Sequence, residues 1–310
     1  MKHLSSEPLL RGGDSPVLLS LERLLVLIPT VVWAVLLFGS DAILRILLST
    51  LTVLVLDNAG CILQNRYLKG NFPRFRLRGA VVGLLLALLS PADLPIPLLL
   101  VAALLAVVML QLFRSEANLP VSLVALMGCL LLFFPAFRSF PLLIDSEGGM
   151  TLAELLRAGE KPALSVTDML LGRMDGNIGE IPSLLLLLGG GYLLFRRQIG
   201  WQIPLAGIVA AALMAYVTAP DTMSVFYYMG AHLFSGSFLL VLIFVAADRT
   251  SAPITGRAGL VYGAIFGVLV ILLRANTGLD GSLPAALVCS LLSRSLDQLL
   301  APLPFGGRRK

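Results

Sequence analysis

The sequence predicts an all-α fold: a polytopic membrane bundle of about ten transmembrane helices in two inverted five-helix halves. Three observations carry this. Apolar residues make up 57% of the 310 positions and charged residues only 13%, about half the charge of a soluble domain. The apolar residues gather into two blocks, each long enough for about five crossings of ~20 residues. Between the blocks lies a polar, acid-rich stretch from Arg138 to Glu180 that nothing else in the chain matches. The expected division is therefore 1–137 as the first membrane half, 138–181 as an external polar loop, and 182–310 as the second half.

The expected spans run Leu18–Gly39, Ile43–Leu63, Gly79–Ser90, Ile96–Phe113 and Val121–Phe134, then Pro182–Phe195, Ile203–Val217, Phe226–Ala247, Leu260–Leu273 and Pro284–Leu300. Met1 to Pro16 is polar and lacks the apolar core of a signal peptide, so the first span itself is expected to direct insertion. Cys61, Cys129 and Cys289 fall in separate apolar segments with no CxxC or Cys/His cluster. That pattern supports neither a disulfide nor a zinc or iron–sulfur site.

Charge position sets the topology. Arg66, Lys69, Arg74, Arg76 and Arg78 follow the second span, Arg196 and Arg197 the sixth, Arg249 and Arg257 the eighth, and Arg308 to Lys310 the tenth. All fall on one side, which the positive-inside rule assigns to the cytoplasm together with both termini. Asp41, Asp93, Asp221, Arg274, Asp280 and the acidic loop fall opposite. In such a chain the net charge of +5 is a topology signal, not a nucleic-acid footprint.

An internal repeat accounts for the halves. Gly79–Pro97 and Gly236–Thr255 each read as a glycine-flanked apolar run ending in a proline- and aspartate-bearing breaker. They are the third and eighth spans, and an offset of five places them in opposite orientation. Paired broken helices in inverted halves mark a central site. The alternative is chance recurrence of Gly, Ala, Leu and Pro in an apolar membrane chain.

Several polar residues interrupt this background. Asp57 lies inside the second span, where an ionisable group either faces a partner along an ion path or snorkels to the near surface. His232 in the eighth span has no ligand partner for a metal; it packs, or hydrogen-bonds backbone or a cofactor. Asp248-Arg249-Thr250-Ser251-Ala252-Pro253 closes that span, with Arg249 placed to complement the helix dipole. Gly176-Asn177-Ile178-Gly179-Glu180 precedes the sixth span, where free amides suit an anion and Glu180 suits the dipole. Gly189-Gly190-Gly191 reads as close helix packing. No phosphate-binding loop or hydrolase motif is present.

Gly176, Ile178, Gly179 and Glu180, followed by Trp201-Gln202-Ile203-Pro204, together with His232-Leu233-Phe234-Ser235-Gly236 and Asp248 through Pro253, resemble motifs of RnfD, a membrane component of the Rnf electron-transport complex. They are similar, more distantly, to NqrB, a component of the Na⁺-translocating NADH:quinone reductase. The resemblance implies a bacterial or archaeal plasma-membrane subunit that passes electrons through FMN on the outer face. Partner Rnf-type subunits handling ferredoxin, NAD and iron–sulfur clusters would couple this to Na⁺ or H⁺ movement. It also implies a threonine esterified to FMN in the external loop. The matching stretch is Leu164-Ser165-Val166-Thr167, so Thr167 is the expected attachment point. Gly176, Asn177, Gly179, Glu180, His232, Asp248, Ser251 and Pro253 would shape flavin or ion sites, with Asp57 on an ion path. On physics alone, a stand-alone secondary transporter fits inverted halves equally well, and a scaffold that has lost its flavin is a third reading.

Overall fold

The computed structural model describes residues 16–67, 76–90, 94–112, 152–162, 164–172, 178–179, 183–249, 251–278 and 280–300, and among these every regular element is helical. Helices α1 (Pro16–Phe38), α2 (Ser40–Tyr67) and α11 (Gly256–Thr277) are long and apolar enough to cross a membrane alone. At ~1.5 Å per residue each exceeds a ~30 Å hydrocarbon core. Helices α3 (Arg78–Leu88), α4 (Ile96–Leu112), α7 (Ser183–Phe195) and α8 (Gln202–Thr218) are apolar but shorter. A further crossing is broken: α9 (Val225–Phe234) bends by 54° into α10 (Phe238–Val241), which runs on as a π turn, Leu242–Ala246. The chain ends its described course in α12 (Ser282–Leu300). The expected span Val121–Phe134 lies outside the described residues; helices stand at the other expected positions, several too short to cross unaided.

Polar contacts gather at two levels of this bundle. At one, Glu22 of α1 accepts hydrogen bonds from Arg196 and Gln198 beyond α7. Arg23 pairs with Asp248 at 2.6 Å, and Asp297 of α12 accepts from the amides of Ile254 (2.8 Å) and Thr255 (2.9 Å) ahead of α11. At the other, Arg274 and Asp280 close the far end of α11. There Ser183 donates to the Phe234 carbonyl at 2.8 Å and Thr222 to that of Gly159 at 2.7 Å. The arginine-rich ends therefore share one face, and the described part of the polar insert, helices α5 (Leu152–Ala158) and α6 (Val166–Leu171), rests on the opposite one.

Two segments are buried on every side, Gly79 to Leu88 and Phe238 to Ala247. They are the two repeat-bearing stretches, and their end contacts show that they run in opposite senses. Burial on every side, and not apolarity alone, puts them in the core of the bundle and away from lipid. Helix α3 starts beside Asp57 and ends under Gly179; the second segment starts at Ser237 on the insert face and ends at Asp248 on the arginine face.

Close approach holds the two halves of the packing. A Cβ on Gly263 of α11 would sit 2.5 Å from the Ile203 carbonyl oxygen, and one on Gly267 would sit 2.4 Å from that of Gly207. With Gly259 these form a small-residue ladder every fourth position, which lets α8 and α11 pack backbone to backbone. On the first half, Ser49 of α2 donates to the Gly83 carbonyl of α3 at 2.8 Å. Asn58 receives the Arg76 amide at 2.9 Å and donates to its carbonyl at 3.0 Å. In the glycine triplet, Gly189 meets Val26 and Gly190 meets Ile243, while Gly191 faces open space. Leu21, Leu25, Ile28, Val32 and Leu36 line the exposed face of α1, the surface lipid would cover.

Candidate functional site

Thr167 stands on the first turn of α6, and local chemistry explains why a helix forms there. Ser165 caps it: its hydroxyl accepts the Asp168 amide at 3.1 Å, and Asp168 reaches back to the Ser165 amide at 3.3 Å. This reciprocal box satisfies two orphan donors of a six-residue helix. Gly172 ends it in the left-handed region, φ 80°. The Thr167 and Ser165 hydroxyls lie 2.7 Å apart, and Thr167 is exposed.

Three contacts fix this helix to the membrane bundle. The Tyr227 hydroxyl of α9 faces the carbonyls of Leu164 (2.9 Å) and Pro162 (3.3 Å). Val166 seats on Gly230, where a Cβ would come within 2.9 Å of a valine methyl. Met169, Leu156, Met223, Tyr227, Tyr228, Ala215 and Ala231 form a small apolar cluster of their own. Lys161 adds a cation 5.0 Å from the Tyr227 ring centroid, within cation–π range. The segment is thus seated on α8 and α9, not draped loosely over them.

Gly179 is placed at the end of α3: its amide donates to the Leu88 carbonyl at 2.8 Å, and the Ile178 amide to that of Ser90 at 3.3 Å. These bonds satisfy carbonyls that a helix C-terminus leaves free. A Cβ on Gly179 would meet the Leu88 Cβ at 2.5 Å, so glycine is needed for the approach. The expected site residues Gly176, Asn177 and Glu180 lie outside the described residues.

His232 is 2% exposed. Its ring meets Tyr228 edge-on at 4.4 Å, and neither ring nitrogen has a partner among the described residues. Its backbone carbonyl is better occupied, because Arg274 Nη1 donates to it at 2.7 Å. Arg274 is itself 2% exposed and also reaches the Ser235 carbonyl at 3.0 Å and Asp280 at 2.8 Å. Asp280 in turn accepts from the amide and hydroxyl of Ser237 and from the hydroxyl of Ser282. Burial works to raise the Asp280 carboxyl, but the Arg274 charge and the hydrogen bonds from Ser237, Arg274 and Ser282 outweigh it and hold it below the usual carboxylate range.

In the sequence Arg274 and Asp280 stand out only as topology charges. The signal available was a single arginine closing the apolar run of α11 with an aspartate six residues on.

The remaining expected residues do not join this group. Asp248 lies at the opposite face with Arg23. Ser251 donates to the Val245 carbonyl at 2.7 Å, which also accepts the Asp248 amide at 3.3 Å. Pro253 lines an open cleft of about 700 Å³ with Arg197, Trp201 and Arg249. Arg249 caps a neighbour and not its own helix: it donates to the carbonyls of Arg197 (2.6 Å) and Gln198 (3.1 Å) after α7. Asp57 is 4% exposed and accepts from Gln111 of α4 at 2.8 Å, so it is a partnered interior group and not a snorkelling one. The site residues divide between two faces, with Thr167, Gly179 and His232 on one and Asp248, Ser251 and Pro253 on the other.

A helical membrane bundle with a polar segment seated on one face is the class of protein these features define. The chain belongs to the NQR2, RnfD, RnfE family, whose profile matches residues 3–306. It is 40% identical over 128 residues to the D component of an ion-translocating oxidoreductase complex of Aeromonas salmonicida (strain A449), covering 40% of this chain and 36% of the relative. It is 32% identical over 139 residues to the D component of a Na⁺-translocating ferredoxin:NAD⁺ oxidoreductase complex of Acetobacterium woodii, covering 44% and 42%. The B component of a Na⁺-translocating NADH-quinone reductase of Klebsiella pneumoniae (strain 342) is 32% identical over 145 residues, covering 44% and 35%. The chain thus spans less than half the length of these curated relatives.

Proposed function

We propose that this chain is the membrane subunit of an Rnf-type, redox-driven ion-translocating complex, with FMN esterified to Thr167 on the outer face. The observation that carries the reading is the seat of α6. An exposed threonine hydroxyl is held on a capped helix, fixed by Tyr227 and Gly230, on the face opposite Arg196, Arg197 and Arg249. The residues suit the group: Thr167 is exposed, its hydroxyl lies 2.7 Å from that of Ser165, and Lys161 sits as a cation over the Tyr227 ring that anchors the segment. FMN would supply one-electron chemistry that the chain's own side chains lack. The protein's contribution is to fix the attachment point against the bundle.

By the positive-inside rule the arginine-rich face is cytoplasmic, which puts Thr167 outside. The full bundle is two inverted five-helix halves built on α3 and the Phe238–Ala247 segment as their broken third members. Partners are the other Rnf-type subunits, a reading supported by relatives that are named as components of ion-translocating oxidoreductase complexes. Gly179 and His232 belong to the Thr167 face. Asp248, Ser251 and Pro253 shape a separate site on the cytoplasmic face, and Asp57 lies on an ion path between. The rival, a stand-alone secondary transporter, draws on the broken α9–α10 crossing.

The test is to denature the purified chain and look for flavin fluorescence that stays with the polypeptide band. The proposal expects that signal in the wild type and its loss in Thr167→Val. A dark wild-type band from cells that make the whole complex would sink it and favour the transporter.

A further inference from the structure

The break between α9 and α10 has the geometry that membrane transporters use to hold a cation. A half-helix C-terminus and unwound carbonyls converge there, at the negative end of the helix dipole. Gly236 makes the turn in the left-handed region, φ 65°. Yet the carbonyls are already taken. Arg274 Nη1 holds that of His232 (2.7 Å) and Nη2 that of Ser235 (3.0 Å), while Ser183 holds that of Phe234. Asp280, the acid that faces the break, receives Arg274 through Nε (3.1 Å) and Nη2 (2.8 Å). A Cβ on Gly236 would come within 2.5 Å of Arg274 Nη2, so even the turn residue is fitted to the guanidinium.

We infer that Arg274 is a tethered cation filling the ion-binding position of this helix break, which seals the break against free ions and makes it a guanidinium site. Planarity decides the occupant. Three acceptors, two carbonyl oxygens and one carboxylate oxygen, surround a fork of fixed N–H directions, which a guanidinium matches and an ammonium or a spherical ion does not. The inference goes beyond the assignment of function above and does not depend on flavin. Whichever path an ion takes through this chain, it does not bind at Ser235 to Ser237.

Chemical rescue tests this in the full chain in detergent. Arg274→Ala leaves the partly buried Asp280 carboxylate and two carbonyls without their donor, and its thermal midpoint should fall by on the order of 10 °C. Free guanidinium at about 10 mM, far below denaturing molar concentrations, should recover at least half of that fall. Na⁺ at equal concentration should recover none, and neither should move the wild type. If Arg274→Ala does not accumulate, Arg274→Gln with Asp280→Asn removes both charges; it should accumulate better than Arg274→Gln alone and ignore guanidinium. Absence of guanidinium rescue, equal rescue by Na⁺, or a double variant no better than the single one would each overturn the inference.

Discussion

Removing one hydroxyl tests how the Thr167 segment is held. In Tyr227→Phe the ring stays, so the apolar cluster around Met169 and the stacking of Lys161 are largely kept. What is lost is the O–H that faces the Leu164 carbonyl at 2.9 Å, with the Pro162 carbonyl a longer second acceptor at 3.3 Å. One proton serves both, so the loss is that of one good hydrogen bond at a residue 8% exposed, about 1 kcal/mol. Tyr227 anchors the residues just before the Ser165 cap, so the cost should appear as local opening of the α6 segment, not global unfolding. About 1 kcal/mol corresponds to roughly fivefold faster amide exchange. Hydrogen exchange on the purified chain should show that acceleration in peptides covering Leu164 to Leu171 and none in α2 or α11. Unchanged exchange in α6, or acceleration spread evenly over the bundle, would refute the idea that Tyr227 fixes this segment.

Further expectations concern packing and charge. Gly267→Ala would put a Cβ 2.4 Å from the Gly207 carbonyl oxygen, backbone that cannot turn aside, and should destabilise by about 2 kcal/mol. Gly191→Ala, with nothing within 4 Å, should be neutral or gain up to about 1 kcal/mol from helix propensity; thermal midpoints of the two variants compare them directly. The Asp280 carboxyl is held below its usual range by Arg274, Ser237 and Ser282 despite burial. Its contribution should therefore be complete above about pH 4, its unfolded value, and be lost as pH falls through the lower folded value. A midpoint-against-pH curve should show that acid loss in the wild type and a flatter profile over the same window in Asp280→Asn.

Much of the architecture was legible because it follows from local chemistry. Long apolar runs became α1, α2 and α11, and the two glycine-flanked repeats became the two segments buried on every side. Gly189 and Gly190 pack closely as the small-residue reading expects. Other features need three dimensions. A capping box in six residues, Ser165 with Asp168, is too short a signal to separate from a turn. The seat of α6 depends on Gly230 and Tyr227, some sixty residues further along the chain. The motif match that grouped Asp248, Ser251 and Pro253 with Thr167, Gly179 and His232 carried no depth information, and the structure sets them at the opposite face. Arg249 was expected to serve its own helix, but the nearest free carbonyls belong to the end of α7. Arg274 and Asp280 looked like surface charges because their partners, the carbonyls of His232 and Ser235, appear only when α9 breaks beside α11.

The proposed outward position of Thr167 depends on which side of the membrane each face meets. Single cysteines at Leu171 or Asp221, both exposed on the α6 face, and at Arg197 or Trp201, exposed on the arginine face, can be probed in intact cells with a membrane-impermeant maleimide. Labelling is compared with the parent chain, which carries Cys61, Cys129 and Cys289 of its own, Cys61 and Cys289 being buried. The proposed orientation gives labelling at Leu171→Cys and Asp221→Cys, and labelling at Arg197→Cys and Trp201→Cys only after the membrane is opened. The reverse pattern would place Thr167 in the cytoplasm and contradict it.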